Sequence, residues 1–400
     1  MATTTPNFGW SVPTSSDLVK NGAVAIETLG DSIDASLVDL KGGTTGQVLA
    51  KATNTDMDFT WTTPSGGTNQ FYAGKNKIIN GAFNVNQRNL TTLSATGYGF
   101  DRFALNGSGG TITQSAQTFT AGTAPVSGYE ATQFLRAVSS GQSAAGDYLS
   151  IYQAIEDVRT FAGQTVTASF WAKTTSGTPQ IGIEMFQSFG SGGTPSAAVI
   201  LTTQNKTLST SWTRYTATFS VPSIAGKTIG TTNSGYLALN IWVSAGSSYS
   251  SRTNIGIQNA TFDFWGVQVE AGSTATDFQT ATGTLQGELA LCQRYYYLHA
   301  SGGSALIGSG SYNTATNANS AVIFPVQMRV APTLVATTGT NYYQVTGGGV
   351  DDGCNSLTLF IPTVQATQLY NNTEVSGTIG YGVIMRTSNA AASVAFNAEL

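Results

Sequence analysis

The chain has 400 residues, of which 17 are basic, 21 are acidic and 46 are glycine. The charged fraction is 10%, against about 25% in an ordinary globular protein, and the net charge is −4. A chain this poor in cations has no basic surface for nucleic acid or anionic lipid. The two cysteines, Cys292 and Cys354, are too few for a disulfide framework, and histidine chemistry would depend on His299 alone. We therefore expect a protein that is not an enzyme.

Residues 17–40 carry the strongest helical pattern. Apolar residues recur every seven positions at Val19, Ile26, Ile33 and Leu40. A seven-residue stripe of this kind predicts a coiled-coil seam, and isoleucine at seam positions favours three or more strands. We expect Ser16 or Asp17 to cap the helix. The alternative is a helix packed on its own domain, because glycines at 22 and 30 weaken an isolated helix.

The helical segment is followed by two glycines, Gly42 and Gly43, and by a short hairpin. The glycines predict the helix end. Residues 46–51 and 57–61 read as two strands around the turn-rich residues 52–56. A hairpin this small does not fold alone. Residues 1–65 are therefore predicted to form a segment that needs a partner.

The N-terminal segment resembles a known module. The helical run 17–40, the stretch 42–49 and the strand 58–61 are similar to the N-terminal module of bacteriophage tail-appendage proteins, especially tail fibres and minor tail proteins. The resemblance implies that residues 1–65 attach the appendage to a tail or baseplate protein, and that the body is a homotrimer. It also implies a virion location after assembly in the host cytoplasm.

Residues 66–285, after a linker at 63–68, are rich in strand patterns. Apolar and polar residues alternate at 165–173, 236–243 and 261–270, with frequent turns between the strands. The one helical candidate inside this block is brief, around residues 157–162. The fold class predicted for the whole chain is mainly β: an N-terminal coiled-coil helix with a small hairpin, a jelly-roll β-sandwich and a small C-terminal β-sandwich at 286–400.

The second block also resembles a known family. Residues 77–88 and 97–103 are similar to the opening of carbohydrate-binding-module-like jelly rolls in phage tail fibres, and residues 169–173, 264–272 and 288–296 continue the likeness in order. Two positions depart from that pattern, Asn86 and Asn89, where tryptophan and glycine are frequent. The resemblance implies recognition of a host-surface glycan by the distal β domains.

Strand parity selects the candidate glycan residues. A sugar site needs a flat aromatic surface bordered by amides, carboxylates or guanidinium groups. Two tryptophans fall on polar strand faces, whereas Trp265 shares the parity of apolar neighbours and is predicted to be core. The candidate glycan-binding residues are Trp171, Glu184, Arg214, Asn240 and Trp242. The alternative is that both tryptophans are buried under loops or at a subunit contact.

No cofactor or catalytic motif is identified in the sequence. Scattered carboxylates at Asp147, Asp263, Glu270, Asp351 and Asp352 leave a structural calcium site as an open alternative. Besides a trimeric, receptor-binding tail fibre, two functions stay open: a glycan-depolymerising tailspike that uses a carboxylate pair, and a purely structural baseplate or decoration protein.

The first testable prediction concerns the oligomeric state. The threefold axis is expected to run along the seam formed by Val19, Ile26, Ile33 and Leu40, because three copies are needed to bury a stripe of this composition. Native mass measurement of the purified chain should give three times the mass of one chain. A stable monomer at micromolar concentration would contradict it.

Overall fold

The computed structural model describes residues 3–62 and 73–400. The chain divides into two compact units, residues 1–70 and residues 71–400. The predicted segment border at residue 65 and the linker 63–68 lie outside the described residues. The predicted blocks 66–285 and 286–400 belong to one unit, and the division into three segments stays a prediction.

One helix dominates the first unit. Helix α1 (Gly22–Leu37) is flanked by 3-10 turns at Val19–Asn21 and Val38–Leu40. The observed α-helix is therefore shorter than the predicted one, and its two ends are 3-10 turns. The predicted cap is wrong: Leu18 and Asn21 occupy the cap positions without side-chain bonds. Asp17 instead accepts a hydrogen bond from the Thr14 backbone N–H, at 2.7 Å.

The predicted seam lies along this helical stretch. Ile26 and Ile33 are in α1, while Val19 and Leu40 fall in the flanking 3-10 turns. None of these helical residues is buried in the single chain; Val19 is 96% exposed and Ile26 is 66% exposed. Most helices of this length owe their stability to packing of an apolar face. No residue in the described part of the first unit therefore buries this stripe. That the stripe is the seam of a trimer stays a prediction.

Two hairpins complete the first unit. Strand β1 (Thr3–Thr4) pairs with β2 (Ser11–Val12), and β3 (Val48–Lys51) pairs with β4 (Phe59–Thr62), both antiparallel. The second pair confirms the predicted small hairpin. The two glycines predicted to end the helix, Gly42 and Gly43, have φ values of +104° and +83°.

The second unit begins with a jelly-roll sandwich of two antiparallel sheets. Its strands are β5 (Thr92–Leu93), β6 (Gly97–Tyr98), β7 (Ala104–Ser108), β8 (Thr111–Thr118), β9 (Gln133–Ser140), β10 (Tyr148–Glu156), β11 (Thr165–Thr174), β12 (Gln180–Ser188), β13 (Val199–Ile200), β14 (Gln204–Thr207), β15 (Thr213–Ser220), β16 (Tyr236–Ala245) and β17 (Thr261–Ala271). The six-stranded sheet has the order β15-β11-β17-β9-β8-β5. The seven-stranded sheet has the order β13-β12-β16-β10-β7-β6, with β14 also paired to β12.

One hydrophobic core joins the inner faces of these sheets. In β11, Val166, Ala168 and Phe170 are fully buried, and in β12 the odd-numbered Ile181 and Ile183 are fully buried. Alternate side chains of both strands therefore point into the sandwich, as the predicted alternation requires. The brief helix predicted around residues 157–162 is wrong, because residues 158–163 form successive turns.

A β-bulge in β17 changes the predicted face of a tryptophan. Trp265 is fully buried, but it pairs with Trp171 on the outer face of the six-stranded sheet, and Val267 belongs to the inner core. Gly266 between them has φ of +66°, a conformation that favours glycine. Simple parity therefore placed Trp265 on the wrong face, although its predicted burial is correct.

Helix α2 and a second sandwich follow. Helix α2 (Leu285–Gln293) is capped by the Thr284 side chain, which accepts from the Gly287 N–H. The strands are β18 (Tyr296–Ser301), β19 (Leu306–Thr314), β20 (Asn317–Ile323), β21 (Thr333–Ala336), β22 (Tyr343–Gly347), β23 (Val350–Cys354), β24 (Thr358–Phe360), β25 (Ala366–Asn371), β26 (Gly382–Thr387) and β27 (Ser393–Asn397). They form a three-stranded sheet, β18-β27-β21, and a seven-stranded sheet, β23-β22-β26-β19-β20-β25-β24.

The last residues of the chain tie the two sandwiches together. The Glu399 carboxylate, with a 4% exposed side chain, accepts hydrogen bonds from Arg102 and Arg88. Arg102 is 1% exposed, and its guanidinium lies 3.4 Å above the Tyr295 ring; Arg88 lies 3.7 Å above the Tyr296 ring. Burial raises the pKa of Tyr295 to about 12. These contacts lock the end of β27 against the jelly roll.

The described helices carry no membrane-spanning signal. Neither α1 nor α2 combines the length and apolar character that a membrane-crossing helix needs.

The second testable prediction concerns the Arg102–Glu399 ion pair. Glu399→Ala leaves a fully buried guanidinium without its partner and should reduce the free energy of unfolding by about 3–5 kcal/mol. The matched control is Arg159→Ala, which removes the exposed Arg159–Asp157 pair and should cost less than about 1 kcal/mol. Urea unfolding of the three proteins measures both changes. Equal midpoints for Glu399→Ala and the wild type would contradict the prediction.

Candidate functional site

The five predicted glycan residues lie on two different sheets. Glu184, Asn240 and Trp242 share the outer face of the seven-stranded jelly-roll sheet. Trp171 and Arg214 pair with each other on the outer face of the six-stranded sheet. The structure therefore brings three of the five residues together and places the other two across the sandwich.

Register explains the first group. Glu184 of β12 lies opposite Asn240 of β16, and Trp242 is two residues further along β16, so all three side chains leave the same face. The Asn240 amide and the Trp242 indole N–H each donate to Glu184 Oε2 at 3.1 Å. Strand parity placed Asn240 and Trp242 on one face of β16, and the pairing of β12 with β16 brings Glu184 to them.

The Glu184 carboxylate is buried and fully bonded. Its side chain has no exposed surface, and besides Asn240 and Trp242 it accepts from both Nε and Nη2 of Arg252, the first at 3.0 Å. A buried carboxylate is tolerated when it is paired and hydrogen-bonded in this way. With four donors aimed at it, Glu184 positions its neighbours and offers no free oxygen to a ligand.

Trp242 is likewise covered. It is 2% exposed and packs near Tyr249 and Tyr148, with ring centroids 5.3 Å and 5.8 Å away, and the Arg252 guanidinium lies 5.0 Å from its ring. Its indole therefore contacts Glu184 and Arg252 within the protein and does not present an open surface to a sugar.

Open aromatic surface lies further along the same face. Tyr152, Phe186 and Tyr236 form an aromatic triad with ring centroids 5.9–6.2 Å apart. All three are half-buried, and the residues paired between them, Ala154 and Ala238, are small and buried. Burial raises the pKa of Tyr152, so its hydroxyl stays protonated. The rings of Tyr152 and Phe186 are nearly parallel, at 18°, and Tyr236 meets both edge-on, so the triad gives a part-exposed aromatic surface in the role that we predicted for tryptophan.

Arg252 links this triad to a polar cavity. The guanidinium is 31% exposed and lies 5.8 Å from the Phe186 ring. The cavity has a volume of about 460 Å³ and is lined by residues 200–203, 205 and 250–254. Seven of the lining side chains carry a hydroxyl or an amide: Thr202, Thr203, Asn205, Ser250, Ser251, Thr253 and Asn254.

One hydroxyl in the cavity lacks a partner. Thr203 Oγ1 is buried, yet it makes no hydrogen bond within residues 3–62 and 73–400. Thr253 Oγ1 donates to Asn205 Oδ1 at 3.3 Å, which holds the two cavity walls together. A buried hydroxyl without a partner is costly, and Thr203 is one of the residues that line the cavity. We call the cavity, Arg252 and the aromatic triad together the Arg252 site.

Sequence reasoning missed two parts of this site. Phe186 lies two residues after Glu184 in β12, so parity alone places it on the same face. Arg252 follows the 3-10 turn Ser247–Tyr249 and lies in a loop, where no periodic pattern indicates a direction. Only the fold brings its guanidinium to Glu184.

The second group, on the six-stranded sheet, is half-buried, and its side chains contact one another. The Arg214 guanidinium lies 4.7 Å from the Trp171 ring, and Trp265 and Phe278 pack beside it, with centroids 5.6 Å and 6.1 Å away. Burial lowers the pKa of Arg214. The Trp171 ring is partly exposed, but it lies on the opposite sheet from the residues of the Arg252 site.

The carboxylates considered for calcium are engaged separately. Asp263 is held by Arg136 at 2.7 Å and 2.9 Å, and Glu270 by Lys75 at 3.3 Å. Asp147 accepts two backbone N–H groups, which lower the pKa of its carboxyl. Within residues 3–62 and 73–400, no three acidic, histidine or cysteine side chains group as metal ligands.

Comparison with known proteins gives weak similarities only. No protein-family model matches the sequence, and no curated protein matches it. The enzymatically active domain of tailspike protein 4 of bacteriophage CBA120 is 13% identical at a TM-score of 0.29, covering 50% of this chain and 22% of that domain. The chain therefore spans about a fifth of the tailspike domain's length.

Two carbohydrate-binding modules give similar values. The CBM22-1 xylan-binding domain from Paenibacillus barcinonensis is 12% identical at a TM-score of 0.28, covering 52% of this chain and 100% of the module. The family 11 module from Clostridium thermocellum is 10% identical at 0.28, covering 47% and 97%. The jelly roll described above rests on the strand order and core of this chain.

Proposed function

We propose that the Arg252 site binds a glycan. The observation that carries this proposal is the continuity between an aromatic triad and a cavity lined by hydroxyls and amides, joined by one guanidinium. A sugar ring has an apolar C–H face and a rim of hydroxyls, and it needs both kinds of surface side by side. The cavity volume is also in the range of small-ligand sites.

The Glu184 network sets the properties of this site. Because Glu184 pairs with Arg252, the guanidinium is held in place with its charge balanced by a carboxylate. Its remaining N–H groups are then positioned to donate to sugar hydroxyls. Since no other charged residue lines the cavity, the preferred ligand is a neutral glycan.

The same contacts support binding over hydrolysis. A glycoside hydrolase needs two carboxyl groups, one of which must exchange a proton with the substrate. Two carboxylates lie at the Arg252 site, and both are engaged. Glu184 accepts from three neighbouring side chains, and Glu156, which pairs with Tyr236 across the strands, accepts from Arg294 and Tyr295. We therefore propose a binding protein without enzymatic activity.

We further propose that the chain is a structural virion component: a trimeric phage tail fibre that attaches to the tail or baseplate by residues 1–65. The virion location and the tail partner rest on the resemblance of residues 17–61 to tail-appendage modules. The uncovered apolar stripe of α1 supports the trimer, because three copies would cover it. In this role the jelly roll presents the Arg252 site to the host surface.

The third testable prediction concerns the platform. Phe186→Ala should weaken binding of a glycan identified on an array of host-surface oligosaccharides by about fivefold, since an aromatic contact contributes about 1 kcal/mol beyond its buried area. Titration calorimetry measures the affinity, and thermal unfolding checks the fold. The matched control is Phe360→Ala, a half-exposed phenylalanine of the C-terminal sandwich, which should bind normally.

Substitution of the buried Trp242 should affect folding stability. Trp242→Ala should cost about 3–5 kcal/mol of folding stability, because its indole is in the core of the site. Unchanged affinity in folded Phe186→Ala would contradict the glycan proposal.

The fourth testable prediction concerns attachment to the virion. Deleting residues 1–65 should abolish incorporation into phage particles while residues 73–400 stay folded, because these residues lie in a separate compact unit. Immunoblotting of purified particles measures incorporation, and circular dichroism of the truncated protein checks its fold. Normal copy number of the truncated chain in particles would place the anchor elsewhere.

A further inference from the structure

A second group of aromatic and charged side chains lies on the outer face of the six-stranded jelly-roll sheet. Trp171 of β11 pairs with Arg214 of β15. Lys173 is two residues further along β11 and so leaves the same face, and Trp212 directly precedes β15. The Lys173 Nζ lies 5.2 Å from the Trp212 ring, and the Arg214 guanidinium lies 4.7 Å from the Trp171 ring. Indoles and cations therefore alternate in these four residues, which we call the indole–cation cluster.

The cluster is part-exposed but held in place by packing. None of its four residues is fully buried, and the Lys173 side chain is 28% exposed. Behind the exposed surface, the Trp212 ring packs on Phe119 and Phe134, with centroids 5.5 Å and 5.3 Å away. Because each indole is packed on further aromatic rings, the two tryptophans form a fixed surface that a ligand does not have to order.

The Arg214 guanidinium keeps hydrogen-bonding capacity. Its Nη2 donates to Ser169 Oγ at 3.1 Å and to the Thr276 carbonyl oxygen. In the described part of the chain, its Nη1 makes no hydrogen bond and the guanidinium forms no salt bridge. A guanidinium binds a carboxylate most strongly, through parallel N–H groups. Arg214 therefore offers donors to an acidic ligand.

One buried carboxylate neutralises two cations beside the cluster. Asp263 has no exposed side-chain surface; it pairs with Arg136 at 2.7 Å and lies 3.9 Å from Lys173. The pairing of β11, β17 and β9 brings these three residues into one row. Arg136 and Lys173 are each 28% exposed, so two partly exposed cations lie above a single buried carboxylate. This side of the cluster has a net charge of +1.

The other side of the cluster is balanced. Lys75 pairs with the buried Glu270 at 3.3 Å. The carboxylates that act on the Arg214 guanidinium are those of Glu270 and Asp277. Two cations and two carboxylates cancel here, so the cluster and its charged neighbours together carry +1, whereas the whole chain carries −4. A small anion is attracted to such a place on an otherwise acidic protein.

We propose that the indole–cation cluster binds an acidic sugar, meaning a sugar ring that carries a carboxylate. The indoles give a flat surface for the apolar C–H face of the ring. Arg214 and Lys173 lie beside the two rings, where they bind the carboxylate. A neutral sugar would use the indoles and leave both cations without a counter-charge. A single-stranded nucleic acid would need a continuous cationic groove along its phosphates, which four cations around one cluster do not form.

This inference goes beyond the Arg252 site and does not depend on it. The cluster is on the opposite sheet of the jelly roll. Its ligand is an anion, whereas the glycan proposed for the Arg252 site is neutral. Substitutions in one site should therefore leave binding at the other unchanged.

An array of neutral and acidic oligosaccharides tests the acidic site. The full-length wild type is compared with Arg214→Gln, with Lys173→Gln and with Phe186→Ala, which alters the Arg252 site. The matched control is Lys227→Gln, because Lys227 is an exposed cation that lies 5.9 Å from an aromatic ring outside the cluster, that of Phe189. Thermal unfolding shows which variants are folded. Lys173→Gln removes one long ion pair only, so it tests the site even where Arg214→Gln is unstable.

The fifth testable prediction is that the wild type binds an acidic oligosaccharide of the array, and that Arg214→Gln and Lys173→Gln each weaken this binding at least about tenfold. The reason is that each loses a charge-assisted hydrogen bond to the carboxylate. Reducing the carboxyl group of that ligand to an alcohol should weaken wild-type binding by a similar factor. Lys227→Gln and Phe186→Ala should bind the acidic ligand as the wild type does.

Each other result has a definite meaning. Binding of neutral oligosaccharides alone would overturn the acidic site and leave the Arg252 site standing. Acidic binding that survives both Arg214→Gln and Lys173→Gln, or that falls only in Phe186→Ala, would also overturn it. Acidic binding that follows the cluster variants without any neutral binding would support the cluster and contradict the Arg252 site. Absence of all binding would overturn both sites.

Discussion

The ion pair between Arg102 and Glu399 connects the parts of the larger unit. Arg102 belongs to the beginning of the jelly roll and Glu399 to the end of the chain, and both are almost fully buried. Burying two charges is favourable only when each finds its partner in good geometry. The same two arginines lie over the rings of Tyr295 and Tyr296, so the C-terminal carboxylate, the jelly roll and the start of the second sandwich meet at this pair.

Two further buried carboxylates are paired with an arginine in the same way. Asp263 is held by Arg136 and Glu184 by Arg252, in each case across different strands or loops. In a chain with only 38 charged residues, each such pair fixes a contact between elements that are distant in sequence. The arginine is partly exposed in both pairs, but only Arg252 of the two lines the polar cavity.

The two outer faces of the jelly roll carry similar residue types in different surroundings. On the six-stranded sheet, Trp171 lies under Arg214 and next to Phe278, so part of its aromatic surface is used within the protein. On the seven-stranded sheet, the loop at 250–254 covers Trp242 but leaves the aromatic triad half-exposed and encloses a polar cavity. Both faces therefore carry half-buried aromatic side chains, and the polar cavity beside the aromatic triad distinguishes the seven-stranded face.

Local patterns in the sequence determined the element types and many of the faces. The seven-residue stripe predicted the helix, alternation predicted the sandwich, and strand parity placed Asn240 and Trp242 on one face of their strand, since these depend only on the periods of helix and strand. The pairing of β12 with β16 then put Glu184 beside them and left Trp171 and Arg214 on the other sheet. The tertiary structure alone decided three things. Gly266 allowed a bulge that moved Trp265 to the outer face. The loop that contains Arg252 lies beside Glu184, and the C-terminal residue Glu399 lies beside Arg102. Each depends on contacts between residues far apart in sequence, and no local period records such contacts.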